Sequence, residues 1–142
     1  MSLTLHLGVI DVPYATEQGT TTGDVAGYLE KKYDLMQNFF DANGQRVADL
    51  MAEDVTNEID NIMNGLAPRT EIFGDSMGEI ETMFKRDFIE GQGSEKLGIV
   101  GTPTKAALKG VNHRLKIKRG KRRPSFRDTG EFEASFKAWI TE

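Results

Sequence analysis

The segment Phe73-Gly74-Asp75-Ser76-Met77-Gly78 has the residue types best suited to a reaction. Gly74, Ser76 and Gly78 satisfy Gly-x-Ser-x-Gly, a spacing that holds a nucleophilic serine on a tight strand-to-helix turn. Such a serine needs a histidine to take its proton and an acid to orient that histidine. The chain has two histidines, His6 and His113, and no convincing strand precedes Ser76. Ser76 and Glu79 also stand at capping-box spacing, where each side chain satisfies a backbone N–H at the start of a helix. Capping accounts for both residues, so no catalytic residue is assigned. Cysteine is absent, which excludes a disulfide scaffold, a zinc–thiolate site and a cysteine nucleophile. Neither His-Glu-x-x-His nor a calcium-loop spacing occurs, and no carboxylates cluster at ligand spacing. Both histidines read as ordinary side chains, and no metal or other cofactor is expected.

A different chemistry is written between residues 114 and 127. Arg114, Lys116, Lys118, Arg119, Lys121, Arg122, Arg123 and Arg127 place eight cations within fourteen residues, with no acid among them. Such a patch neutralises phosphates without reading sequence. It serves equally to seat on an acidic face of a neighbouring chain. Residues 1–95 offer that face. They carry 18 acids against 6 Lys and Arg, a charge of −12, whereas residues 96–142 carry 4 against 12, a charge of +8; together these give the net −4. Neutralisation within one folded chain is the third possibility, since halves of a compact domain touch.

The elements that position these groups follow from periodicity. A length of 142 residues fits one domain, and 34 Leu, Ile, Val and Phe residues provide a modest core. We read it as an N-terminal strand or arm and loop over 1–22, an acidic helical part over 23–95, and a basic loop with a C-terminal segment over 96–142. No stretch approaches 18 apolar residues, so no membrane span is expected. The first basic residue is Lys31 and Asp11 interrupts the early apolar stretch, which does not suit a signal peptide. Residues 3–9 alternate apolar and polar, the pattern of a half-buried strand, and residues 13–23 read as a polar loop. Val25, Leu29, Tyr33, Met36 and Phe40 then follow helical spacing, continued by Val47, Leu50, Met51, Val55, Ile59, Ile62 and Met63. Asn43-Gly44 marks a stop or weak joint between two helices, or a flaw in a single long one. Asp49, Glu53, Asp54, Glu58 and Asp60 read as the solvated face.

A third helix starts at the Ser76 cap, carries Met77, Ile80, Phe84 and Phe88 on one stripe with Phe73 as its staple, and ends at Gly91 and Gly93. Thr102-Pro103 reads as the cap and first turn of a fourth helix that reaches Leu115 through the weak point Gly110. Residues 129–140 fit either element: Phe132, Phe136 and Trp139 suit a helix, while Phe132, Ala134, Phe136, Ala138 and Ile140 suit a strand. Asp128 or Thr129 caps the next turn, and Gly130 allows a tight bend. Phe132, Phe136, Trp139 and Ile140 then dock as an apolar staple. The expected fold is α+β, dominated by long amphipathic helices, with a small β element from the termini.

Two resemblances bear on function. Gly74-Asp75-Ser76 resembles the Gly-Asp-Ser block of the lipases and esterases named after it, and Gly110-Val111-Asn112 imitates that family's Gly-x-Asn block. The family takes its histidine and acid from a late Asp-x-x-His, whereas His113 here follows Gly110 at that spacing. Asp128-Thr129-Gly130 also matches the aspartic-protease tripeptide, but that chemistry needs two carboxylates and one chain carries one copy.

The longer likeness is Arg122-Arg123-Pro124-Ser125-Phe126-Arg127-Asp128-Thr129-Gly130-Glu131-Phe132-Glu133-Ala134-Ser135-Phe136. It resembles the tailed-bacteriophage virion-morphogenesis proteins of the head–tail connector or tail-completion (neck) group. Those chains carry a basic stretch, a Pro, Asp-Thr-Gly and an apolar-x-x-Ser-apolar turn in that order. Thr102-Pro103 with Ala106, Ala107 and Leu108, followed by Gly110 to Leu115, looks like their helix-and-basic-loop lead-in. The resemblance implies a non-enzymatic structural protein of the virion. It implies a ring of copies at the head–tail junction, portal or tail neighbours, and a lumen through which DNA passes. The runner-up is a nucleic-acid-binding accessory protein that uses residues 114–127, and the third is the esterase.

Overall fold

The computed structural model describes residues 2–15 and 19–142; residues 16–18 of the expected polar loop lie outside the described residues. Strand β1 (Thr4–Val9) pairs antiparallel with β2 (Phe136–Thr141), in the register Leu5 with Ile140, Leu7 with Ala138 and Val9 with Phe136. The period of two therefore turns Leu5, Leu7 and Val9 towards the core beside buried Phe136 and Ala138. On the other face the His6 and Trp139 rings stack 5.3 Å apart, and His6 Nε2 lies 2.8 Å from Thr141 Oγ1. The fold is α+β with helices dominant, and its small sheet is made from the two ends of the chain. Among the described residues no helix is long and apolar enough to cross a membrane.

Helix α1 (Thr22–Tyr33) opens on a capping box: Thr21 Oγ1 accepts from the N–H of Asp24, and the Asp24 carboxylate accepts from the N–H of Thr21. Helix α2 (Leu35–Met63) follows after one residue, Asp34, in the left-handed region at φ 48°. The joint lies here and not at Asn43-Gly44. Glu30 reaches across it, accepting from the N–H groups of Met36 and Gln37 at 2.7 and 3.1 Å, so α1 itself caps α2. Asn43 remains helical because its amide donates to Phe39 O, four residues back.

Helix α3 (Gly74–Thr82) runs without interruption into a π-helix (Met83–Glu90). The wider turn collects Met83, Phe84, Phe88 and Ile89 on the buried side. Its last bond, from Gly91 N–H to Arg86 O at 2.7 Å, keeps the five-residue step. Phe84 is the centre of the core. Its ring stacks on Phe136 at 3.8 Å and meets Phe39 edge-on at 5.3 Å, with Phe88 and Phe132 around it.

Three short helices complete the chain: α4 (Gly93–Lys96), α5 (Lys105–Lys109) and α6 (Glu131–Ser135). Both readings of residues 129–140 hold, each over its own part, because the chain passes from α6 into β2 at Phe136, which is extended. The fourth helix is shorter than its apolar spacing suggests. Gly110 turns left-handed and ends it, leaving Val111 and Leu115 outside. Its cap is Thr104, whose Oγ1 accepts from Ala107 N–H; the Thr102 hydroxyl instead donates backwards to Ile99 O.

Two further expectations are corrected. Asp54 and Glu58 are buried, not solvated. Asp54 accepts from Ser76 N–H at 2.9 Å, and Glu58 accepts from both the N–H and the Nε of Arg69 at 2.7 and 2.8 Å. Trp139 does not join the staple of Phe132 and Phe136. Its neighbour in sequence, Ala138, takes the inward face, and Trp139 is 42% exposed on His6.

This arrangement predicts a contrast within one residue type. Phe84→Ala should lower the unfolding free energy by about 4 kcal/mol in urea titration. Phe40→Ala, on the exposed side of α2, should cost less than about 1 kcal/mol.

Candidate functional site

The basic segment is a built structure. From Gly110 the chain leaves α5, makes a small turn closed by paired bonds between Asn112 and Ile117, and returns. On its return Gly120 N–H donates to Lys109 O and Arg123 N–H to Ala107 O, both at 3.1 Å, so the exposed carbonyls of α5 are used. Gly110 permits this return. Its φ is +62°, and the Gly120–Lys121 backbone occupies the space a Cβ would need.

Within this frame the eight cations divide. Arg123 lies inward, its guanidinium donating to Arg127 O at 2.6 Å, Val111 O at 3.0 Å and Pro124 O at 3.2 Å. Arg114 pairs with Asp128 and covers the Tyr14 ring at 4.2 Å. Arg122 meets Glu95 at 2.6 Å, and the second oxygen of Glu95 accepts from the Ser125 hydroxyl. Arg127 bridges Glu90 at 2.9 Å and Glu133 at 3.5 Å. Four arginines are thus joined to carboxylates or carbonyls and hold the segment to α4, the π-helix and α6. Lys116, Lys118, Arg119 and Lys121 are exposed, and none has an ion pair among the described residues. Lys116 sits at the tip in the left-handed region, φ 57°. These four are the cations of the segment without an ion pair among the described residues.

The Asp-Thr-Gly turn is structural in its contacts. Asp128 takes Arg114, Thr129 Oγ1 accepts from Glu131 N–H at 3.4 Å, and Gly130 at φ +87° turns the chain into α6. Beneath it lies a cavity of about 340 Å³ walled by Tyr14, Leu29, Phe126 and Phe132, with His113 and the Arg114–Asp128 pair at its polar side.

Ser76 is placed differently from its expected capping role. It is the third residue of α3 and 2% exposed; its hydroxyl donates to Phe73 O at 3.0 Å, while Asp54 from α2 satisfies its N–H. His6 is engaged in the sheet and His113 lines the cavity under the basic segment, so the nucleophile–base–acid chain is not assembled at Ser76. Among the described residues no group of three His, Asp or Glu is placed to hold a metal ion.

Sequence reading missed the carboxylates that partner the arginines. Glu90, Glu95 and Glu133 lie outside the basic run, and their role follows only from the tertiary fold. Asp54 and Glu58 were legible in principle. With Val47 and Met51 they fall at steps of four, three and four, the stripe that faces the core. Glu133 is the most perturbed group. It is 7% exposed, and burial together with nearby Glu90 pushes its carboxyl up to about 7, against the pull of Arg127 and Lys85. Arg69 holds Glu58 below the usual carboxylate range, mainly through its side-chain hydrogen bond.

Compared with known proteins, the chain matches no family model, no curated protein and no solved structure.

Two outcomes follow. Arg123→Ala should cost about 2 kcal/mol, because it strands three carbonyl acceptors, while Lys118→Gln should stay within about 0.5 kcal/mol in the same denaturation assay. The fold binds the Glu133 proton more tightly than the unfolded chain does. Its contribution is therefore full below about pH 4.5 and is lost as pH rises through about 7. Glu133→Gln should remove that slope. Its melting temperature should exceed the wild type's at pH 8, with the gap closing towards pH 5.

Proposed function

We propose that this chain is a non-enzymatic assembly protein of a tailed-phage virion, forming a head-to-tail ring at the head–tail junction that leaves a lumen for DNA. The observation that carries the assembly reading is the separation of unsatisfied charge. Lys116, Lys118, Arg119 and Lys121 project at the basic segment, while Asp49, Glu53 and Asp60 are exposed along α2, and no ion pair among the described residues joins the two groups. Internal neutralisation accounts for the four arginines and leaves this remainder. Unlike faces on one chain favour a contact between copies, and a heterologous contact generates a ring when its rotation closes. The position in the virion rests on the likeness of residues 122–136 to the connector and neck group. A lumen lined by strongly phosphate-binding groups would impede sliding DNA, which favours placing the four cations against the next subunit.

The decisive variant replaces Lys116, Lys118, Arg119 and Lys121 with Gln. None of the four has an ion pair among the described residues, so the fold should survive. Sedimentation of the wild type should reveal oligomers that loosen as salt rises from about 50 to 500 mM, and the variant should sediment as a monomer at low salt. Intact oligomers that have lost duplex-DNA binding would instead make this a nucleic-acid-binding protein.

A further inference from the structure

Helix α2 has a second unsatisfied feature, and it is apolar. Val55, Ile59, Ile62 and Met63 stand exposed at helical spacing, continued by Leu66 in the following turn; Met63 is 79% exposed. Single exposed apolar residues are ordinary, but four on one helix face with Leu66 just beyond its end form a patch. Inside the chain, this half of α2 is held through other residues. Asp54 and Glu58 turn inward to Ser76 and Arg69, while Val55, Ile59 and Ile62 stay outside beside the exposed Glu53, Thr56 and Asp60. Carboxylates held inside while an apolar stripe stays in water suit a helix that meets a second surface.

The basic segment carries the complementary pattern. In Arg114-Leu115-Lys116-Ile117-Lys118, the exposed Leu115 and Ile117 alternate with Lys116 and Lys118, which have no ion pair among the described residues. The acids Asp49, Glu53 and Asp60, spaced by four and seven, flank the stripe of α2. Each surface is apolar with charge beside it, and the charges are opposite.

The two surfaces lie at opposite ends of the molecule. The stripe occupies the end of α2 where Arg69 and the start of α3 are tied down. The basic segment is tied to the other end, through Glu90 and Glu95 just beyond Phe88, which packs on Phe39 near the start of α2. From Phe39 to Val55 the helix rises about 24 Å, so one copy does not close this contact on itself.

We infer that the Val55–Ile59–Ile62 stripe of α2 is the seat for Leu115 and Ile117 of a second copy of this chain, with the flanking acids paired to that copy's lysines. The inference rests on the assembly reading and specifies its contact: heterologous, apolar at the centre and ionic at the rim.

The absence of cysteine makes a direct test clean. Ile59→Cys and Leu115→Cys chains are mixed one to one and oxidised with copper–phenanthroline. The mixture should give a disulfide-linked species of twice the chain mass, and each variant alone should give little. Ile59→Cys mixed with Tyr28→Cys, an exposed position on α1, should give none. Separately, Ile59→Lys with Ile62→Lys should keep the helical circular-dichroism signal and raise the concentration for half-assembly by roughly tenfold or more. Self-linking of Ile59→Cys would overturn the inference in favour of a two-fold stripe-to-stripe contact. Unchanged oligomers in the double-lysine variant, with no 59–115 link, would overturn it while leaving the assembly reading intact. A wild type that is monomeric at every concentration would overturn both.

Discussion

The stacked pair Phe84 and Phe136 is the contact through which the remaining elements are organised. Phe84 comes from the π-helix in the middle of the chain and Phe136 opens the last strand. Their contact fixes β2 on the helix, β2 fixes β1 by hydrogen bonding, and Phe39 brings α2 against the same rings. With few aliphatic residues to bury, the chain draws its cohesion from a cluster of large planar side chains. These bury more area for each ordered residue than valine or leucine would. The π-helix serves that cluster, since its five-residue step brings Met83 and Ile89 onto the same buried side as Phe84 and Phe88.

Charge is used in two ways, and side-chain chemistry separates them. The arginines that enter the structure use a planar fork of donors, as when Arg123 serves three carbonyls at once. A lysine ammonium is a hydrated point charge and is better left in water, where Lys116, Lys118 and Lys121 remain. Arg119 is the exception, standing exposed with the lysines. The buried carboxylates follow a related logic. Asp54 and Glu58 replace local caps that the 67–76 segment does not supply for itself, which ties the start of α3 to the flank of α2.

Much of the fold was legible in the sequence where periodicity was long and uninterrupted. The alternation over residues 3–9, the helical stripe through residues 25–63 and the stop at Gly91 all correspond to elements. Boundaries were less legible wherever a cap came from elsewhere in the chain. Ser76 and Glu79 have capping-box spacing, yet Asp54 takes the role, and no local pattern encodes a donor's partner 22 residues away. The break between α1 and α2 was hidden for the same reason: Glu30 caps across it, so a single non-glycine residue in the left-handed region suffices. In the candidate site the cluster of cations was visible and its division was not. Which of eight similar charges is consumed depends on Glu90, Glu95 and Glu133, placed by tertiary packing. Apolar spacing placed Ile59 and Ile62 on the helical stripe with Val47 and Met51, but period alone does not tell which part of the stripe the chain itself covers.

The terminal sheet also determines the order in which the molecule becomes competent. Leu5 waits for Ile140, and Phe84 emerges from the ribosome well before the Phe136 ring that covers it. Closing so long a loop is entropically slow compared with forming the helices between. During synthesis the helical part is therefore a nascent body with an open aromatic face, and the exposed stripe of α2 is available at the same time. The strand pair acts as a latch. Until it closes, the aromatic face competes for the same apolar surfaces, and contacts between unfinished chains are promiscuous. Once it closes, the aromatic face is covered while the stripe of α2 stays exposed, so the strand pair separates an apolar surface that folding hides from one that it leaves in water.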